Sequence, residues 1–433
     1  MLIQIDKPKR SPLAYFVPIA LLAGMVVYLF FLLPRTAAPQ KLPQDERKYF
    51  DSIYRDTWNY LASHIEKKTG LPYDSSSQQP PTSMTNVGLY LASTAIASRT
   101  GLISQEEGLD RIKKSVESLE QVEKWRGFPY PWILVRTLKP THGDEFNYGP
   151  HLANLIGGLI VAKSTFPQVA SRIDQLISKW DLKSLYDNKS EWLKGGYNIK
   201  TQNFAIYQPW GHWYYQYFAA ETRLLSFYLV ARKVVPKKHW YALQRPTLKQ
   251  EGETVYATGV LNGGLSTQYL PGLFLDERET EMGKAQKNLA RAQMKHAKKI
   301  GAPVWGWSPA QAPNGNYLID GEYRDEIVAP YASMLAVIYF PKAAYQNLKK
   351  LEELGARPPA LTGRKSGGPK SEVPGEGYGF LDTINWETGA VAKNWLTPSQ
   401  GMAFLSLANL LYDGIVWKSF AEDPVVKQRL EIL

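Results

Sequence analysis

Helical periodicity recurs eleven times along the chain, and clusters of Gly, Pro or Asn separate one stretch from the next. Apolar residues return at three- and four-residue spacing over about 45–68, 84–100, 104–124, 148–165, 169–179, 212–233, 266–275, 277–299, 326–339, 341–354 and 398–413. Alternating strand patterns are rare, and "ETVYATGVL" at 253–261 is the best of them. Consecutive helices with short links pair as antiparallel hairpins. Eleven or twelve of them predict an all-α chain, built as a toroid of helix pairs. A low-complexity stretch at 356–377 reads as a long loop.

One apolar run stands apart from this pattern. Residues 15–33, "YFVPIALLAGMVVYLFFLL", carry no charge. As a helix they would extend roughly 29 Å, close to the hydrocarbon thickness of a bilayer. Lys7, Lys9 and Arg10 precede the run, while Arg35 and Lys41 follow it. The bias of basic residues predicts a cytoplasmic N-terminus over 1–12 and a single membrane span over 13–33. A Pro-rich linker at 34–44 and an exported domain over 45–433 complete the expected order. The expected location is the inner membrane, with the main domain periplasmic or extracellular.

Composition narrows the chemistry. The chain holds 13 Trp and 26 Tyr, side chains with a flat apolar face and a polar edge, as sugar rings have. Core packing is the blander use of each of them. Net charge is +11. No nucleic-acid recognition motif accompanies it, so the expected partners are an oligo- or polysaccharide and a membrane, not nucleic acid. The absence of cysteine excludes disulfides, thiolate metal sites and cysteine nucleophiles. The six histidines show no metal-ligand spacing, and no metal is expected.

Three loops mix aromatics, carboxylates and amides. The first carries Asp144, Glu145 and Asn147. The second carries Trp305, Trp307, Tyr317, Asp320, Glu322, Tyr323 and Asp325, and the third Asp382 and Trp386. Glu221 lies within the greasy stretch "WGHWYYQYFAAETRLLSFY". If that stretch is helical, Tyr217, Phe218, Leu224 and Leu225 share its face. Glycosidic cleavage needs a carboxylic acid that keeps its proton and a second carboxylate that activates water or attacks the sugar. An apolar wall raises a carboxyl pKa, so Glu221 is the candidate donor and Asp144 a candidate base. Their blander roles are a helix-rim charge and a helix N-cap.

Six ordered blocks resemble a known family. "TSMTNVGLYLAS", "VEKWRGFPYPWILVRTLKP", "YFAAETRLLSFYLVARKVVPKKHWYAL", "VWGWS…GNY…VAPYAS", "GYGFLDTIN" and "TPSQGMAFLSLANLLYDGIVWKSF" span about residues 47–420. They resemble motifs of the endo-β-1,2-glucanases and of the glucoamylase-like central region of cyclic β-1,2-glucan synthases. The resemblance implies an (α/α)6 toroid and a glycan-cleaving or glycan-transferring enzyme without an obligatory cofactor. It implies the donor role for Glu221 and puts Asp144, Glu145 and Asn147 in a loop that supplies acidic site residues. Tyr317, Asp382 and Gln400 match positions that line the site in relatives.

The expected function is therefore a membrane-anchored glycoside hydrolase or transglycosylase acting on a β-glucan or exopolysaccharide. Catalytic candidates are Glu221, Asp144 and Glu145. Substrate-binding candidates are Asn86, Trp125, Trp132, Asn147, Tyr217, Trp305, Trp307, Tyr317, Tyr323, Asp325, Asp382, Trp386 and Gln400. The rival expectation is a non-catalytic glycan-binding subunit of a polysaccharide synthase or export complex.

Overall fold

The structure is a computed structural model of the 433-residue chain. It describes residues 42–142, 145–146, 149–199, 203–204, 206–207, 211–212, 214–258, 264–319, 324–358 and 377–433. The candidate membrane span at 13–33 lies outside these. Among the described residues, no helix is long and apolar enough to cross a bilayer.

The described part is mostly helical, and its helices alternate between two kinds. The first kind shows an apolar stripe and a charged face: α1 (Gln44–Ser63), α3 (Gln105–Gln121), α5 (Pro167–Ser178), the short α7 (Lys238–Ala242), α9 (Glu281–Ile300) and α11 (Pro341–Glu353). Such a helix can bury only one side. The second kind is buried nearly all round: α2 (Met84–Arg99), α4 (Gly149–Thr165), α6 (Arg223–Ala231), α8 (Leu265–Tyr269), α10 (Pro330–Leu335) and α12 (Thr397–Leu411). A helix apolar on every side is stable only inside a shell of others, so the sequence pattern itself sorts the six pairs into outer and inner members.

The inner helices form the core. α2 packs on α4 and α12, α4 on α6, α8 on α10, and α10 on α12. Between α6 and α8 the link is polar: the buried Arg223 guanidinium donates to Gln268 O at 2.9 Å. The α2–α4 contact is the tightest. A Cβ on Gly88 would stand 2.1 Å from Asn154 O, and one on Gly158 would stand 2.0 Å from Gly88 O. Backbone touches backbone there, and only glycine leaves the room. Two short helices, α13 (Ile415–Ala421) and α14 (Pro424–Lys427), close the chain.

Inner helices α2, α4, α8, α10 and α12 share one polarity. Thr85 in the first turn of α2 meets His151 in the first turn of α4, with Oγ1 and Nδ1 3.1 Å apart. Ser266 at the start of α8 and Tyr331 at the start of α10 both bond Ser308 Oγ. Thr397 N, at the start of α12, donates to Asp74 O at 2.8 Å, and the Asp74 side chain is bonded to Asn86 of α2. The N-termini of these five inner helices therefore gather at one end, where unsatisfied N–H groups and helix dipoles favour negative charge. Small antiparallel ribbons cover that end, pairing 81–83 with 132–134, 310–311 with 317–318 and 327–328 with 384–385.

The sequence pattern departs from the structure in several places. Of the helix expected over 326–339, residues 327–328 form a strand and the α-helix spans only Pro330–Leu335. The helix expected over 212–233 begins only at Arg223. Tyr214 and Tyr215 instead pair as a strand with Lys194 and Leu193. Gln216 O and Phe218 N bond Gln244 N and Gln244 O at 2.7 and 2.9 Å. Those backbone groups are committed sideways and cannot close helical turns. Of the strand expected at 253–261, Glu253–Tyr256 is half of a hairpin with Thr247–Gln250, and 259–261 lie outside the described residues. Helices α7, α13 and α14 were not foreseen. Of the loop expected at 356–377, residues 359–376 lie outside the described part.

Candidate functional site

Two of the acidic candidates, Asp382 and Glu221, lie near Tyr317 at the end where the inner helices begin. Asp382 sits on the segment that precedes α12 and is 1% exposed. Ser399 Oγ, in the first turn of α12, and Gln311 N, in the 310–318 hairpin, each donate to it at 2.5 Å. Burial dominates all the same and raises the Asp382 pKa from 3.8 to about 7, with the nearby Asp74 adding to the shift.

Asp74 is half-buried. Its Oδ1 accepts from Asn86 Nδ2 at 2.7 Å. Desolvation raises its pKa, and the amide contact pulls the other way. Asn86 itself is fully buried on α2, and its backbone N–H is capped by Ser83 Oγ.

Tyr317 joins these groups. Half of its surface (51%) is open to solvent, yet its hydroxyl pKa is raised well above 10, first by burial. Both statements hold for a side chain that is open over part of its surface while its hydroxyl end is crowded by protein. The acids that raise it further are Asp382, Glu221 and Asp74, alongside the Tyr331 hydroxyl. One side chain thus feels three carboxyl groups brought from distant parts of the sequence. Gln400 lies behind them, buried, with Nε2 donating to Phe380 O at 2.8 Å.

Glu221 is partly exposed and sits on a turn, not in mid-helix. Phe218, Leu224 and Leu225 are buried beside it in the chain, and Tyr217 is half-buried. The helical face that predicted an apolar wall around Glu221 is absent on the N-terminal side, because the helix starts only at Arg223.

The aromatic candidates divide. Trp132 is 38% exposed and meets His151 edge-on at 5.8 Å. Burial lowers the His151 pKa to about 4, so this ring is neutral at ordinary pH. Trp305 and Trp307 are buried in the core, where their backbone N–H groups donate to Asn347 and Gln293. Neither offers a ring face to a sugar, and the stacking expected of them is corrected to packing. Trp125 stacks on Tyr197 at 4.3 Å, and Arg126 lies over its ring at 5.0 Å. Its faces are likewise taken. Asp325 is exposed and paired with His296 of outer helix α9 at 2.8 Å, which assigns it to the surface rather than the site. Trp386 Nε1 donates to Asp325 O.

Asp144, Asn147 and Tyr323 lie outside the described residues. Glu145 is described only as backbone, in a strand paired with Asn198. Sequence reasoning missed Asp74, Gln311 and Ser399. Asp74 begins a Ser- and Gln-rich run, "DSSSQQPP", that reads as a turn.

Two family models match the chain. The one described as "Protein of unknown function (DUF3131)" matches residues 52–302, and the one described as "Putative glucoamylase" matches 231–424. The cyclic β-(1,2)-glucan synthase NdvB of Rhizobium meliloti (strain 1021) is 27% identical over 240 residues, which cover 49% of this chain. The chain spans only 8% of the synthase's length.

Among solved structures, a Bacteroides fragilis NCTC 9343 protein with the same glucoamylase description aligns with a TM-score of 0.73 at 19% identity. It covers 92% of this chain and 98% of its own. The endo-β-1,2-glucanase of Chitinophaga pinensis, solved with sophorotriose and glucose, aligns at 0.72 with 18% identity, covering 90% and 98%. These likenesses establish the shared fold, and with the family matches they bear out the resemblance carried by the six sequence blocks.

Proposed function

We propose that this chain, which belongs to the DUF3131 family, is a glycoside hydrolase or transglycosylase acting on β-1,2-linked glucan. It works from an (α/α)6 toroid tethered through residues 13–33 to a membrane of the cell envelope. The observation that carries the reading is the convergence at Tyr317, where Glu221, Asp382 and Asp74 act on one hydroxyl at the end where the inner helices begin. Cleavage of a glycosidic bond asks for carboxyl groups gathered in a depression beside exposed aromatic rings. Trp132 and Tyr317 supply such rings at this end.

In this reading Glu221 protonates the departing glycosidic oxygen. A carboxylate of the 144–145 loop activates the water or sugar hydroxyl that takes the place of the leaving group. Asp382 shapes the floor, where its two hydrogen bonds tie the 310–318 hairpin to α12. Tyr217 adds to the lining, and the buried Asn86 and Gln400 support it from beneath. The likeness to a glucan synthase and a glucanase, both named for β-1,2 linkages, supports that linkage over others.

The test is a panel of β-1,2-, β-1,3-, β-1,4- and β-1,6-glucans given to the full chain in detergent. Products are followed by chromatography, and the anomer first released is identified by NMR. Oligosaccharides from β-1,2-glucan alone are expected. Binding to a glucan without turnover of any would favour the non-catalytic subunit instead.

A further inference from the structure

A proton donor at Glu221 needs a fixed placement as well as a proton. A carboxyl on a turn outside any helix has no regular backbone to fix its direction, and a proton donor misplaced by about 1 Å loses much of its effect. Something must hold the turn. Its outer side is tied to Gln244, through Gln216 O and Phe218 N. Its inner side is held by a fully buried cation. Arg223 Nη1 donates to Phe218 O at 3.0 Å and to Ala220 O at 3.4 Å, the carbonyls just before Glu221. Nη2 donates to Gln268 O at 2.9 Å. Nε and Nη2 also grip Glu277 at 2.7 and 2.8 Å.

Glu277 is 2% exposed and lies on the segment leading into α9. It is fixed in turn by Gln286, whose Nε2 bonds both Glu277 Oε2 and Gln268 O at 2.9 Å. The Tyr339 hydroxyl donates to Gln286 Oε1 at 2.6 Å. Arg223 is thus one plate of a rigid clamp reaching from the α8 and α9 region to the turn that carries Glu221. The stability of a fold alone does not call for this arrangement. A buried ion pair is weak evidence of stability, since well-packed apolar groups of the same volume often serve as well. A planar guanidinium whose donors are divided between a carboxylate and three carbonyls is a device for geometry.

We propose that Arg223 and Glu277 are positioning residues, which aim the Glu221 carboxyl at the leaving oxygen by fixing the carbonyls of Phe218 and Ala220. The inference rests on the donor role proposed for Glu221. In that step the Glu221 proton passes to the glycosidic oxygen as the C1–O bond breaks. Hydroxide from water, or the oxygen of an accepting sugar, bonds to C1, and its proton goes to the base. An aryl glycoside with a strongly acidic phenol needs no such proton, because its aryloxide leaves unaided. Loss of donor placement therefore shows as a dependence on the leaving group, which a general loosening of the fold does not produce.

The experiment uses the full chain, with Arg223→Lys and Glu277→Gln, their folding followed by near-UV circular dichroism, beside Glu221→Gln. Turnover is measured on β-1,2-glucan and on 2,4-dinitrophenyl β-sophoroside. A lysine at 223 keeps the charge but cannot reach Glu277 and the carbonyls together. Both clamp variants are expected to lose about tenfold or more in kcat on the glucan. Their KM should hold within about twofold, and they should keep the dinitrophenyl rate within about threefold. Equal losses on both substrates overturn the positioning role, as does loss of the native spectrum in both variants, which would assign the pair to the fold alone. If Glu221→Gln shows no such dependence, it is the donor assignment that fails. If it does and the clamp variants do not, only the clamp is refuted.

Discussion

Replacing Asp382 by asparagine should leave the protein unchanged in acid and make it more stable in base. Asp382 is 1% exposed, and burial holds its pKa near 7 against an ordinary 3.8. Between those values the folded state binds a proton that the unfolded chain has released. The protonated side chain is well served: its hydroxyl can donate to Ser399 Oγ, and its carbonyl accepts from Gln311 N–H. The stabilisation is therefore complete below the unfolded value and fades as pH rises through about 7. Each pH unit in that interval is worth about 1.4 kcal/mol, so the span corresponds to about 4 kcal/mol. Asparagine reproduces the neutral acid, with Nδ2 toward Ser399 and Oδ1 toward Gln311, and it does not titrate. Urea unfolding of wild type and Asp382→Asn at pH 4 and pH 8 reads this contribution, together with the smaller one that the neighbouring Asp74 shares with it, because more distant groups titrate alike in both proteins. The variant should gain up to about 4 kcal/mol on wild type between the two pH values. A difference that stays constant with pH would refute the buried-acid argument.

Two further substitutions probe packing and binding. Gly88→Ala forces a methyl to within 2.1 Å of Asn154 O, so α2 and α4 must part. Thermal and urea unfolding should register a loss of about 3 kcal/mol or more. Trp132→Ala and Trp305→Ala should separate cleanly. Removing the exposed ring weakens oligosaccharide binding about fivefold to tenfold by calorimetry, with the melting temperature unchanged. Removing the buried one destabilises the fold by about 3–5 kcal/mol.

What the sequence revealed depended on how locally each feature is determined. The boundaries of α2, α3 and α11 fall within a few residues of the periodic stretches at 84–100, 104–124 and 341–354, because a helix spends its hydrogen bonds within itself. The stretch 212–222 misled because its aromatics satisfy helical spacing, while its backbone partners lie at 193–194 and 244. Nothing in the sequence marked Arg223 as buried, since its partner Glu277 is far along the chain and nothing local announces a buried ion pair. Asp74 was hidden for the same reason, as its neighbourhood is assembled from α2, α12 and the 382 segment. Tryptophan is legible only as an alternative. Trp132 and Trp305 are alike in sequence, and only burial separates a sugar platform from a core residue.

The account turns on Glu221 as the group that protonates the leaving sugar oxygen. Its most direct measurement is reducing-end release from β-1,2-glucan by the full chain and by Glu221→Gln, with equal melting temperatures as the control. Wild-type turnover, with a loss of at least about 100-fold in kcat for the variant, is the predicted result. An undiminished rate in the variant, or a folded wild type that binds the glucan and never cleaves it, would contradict it.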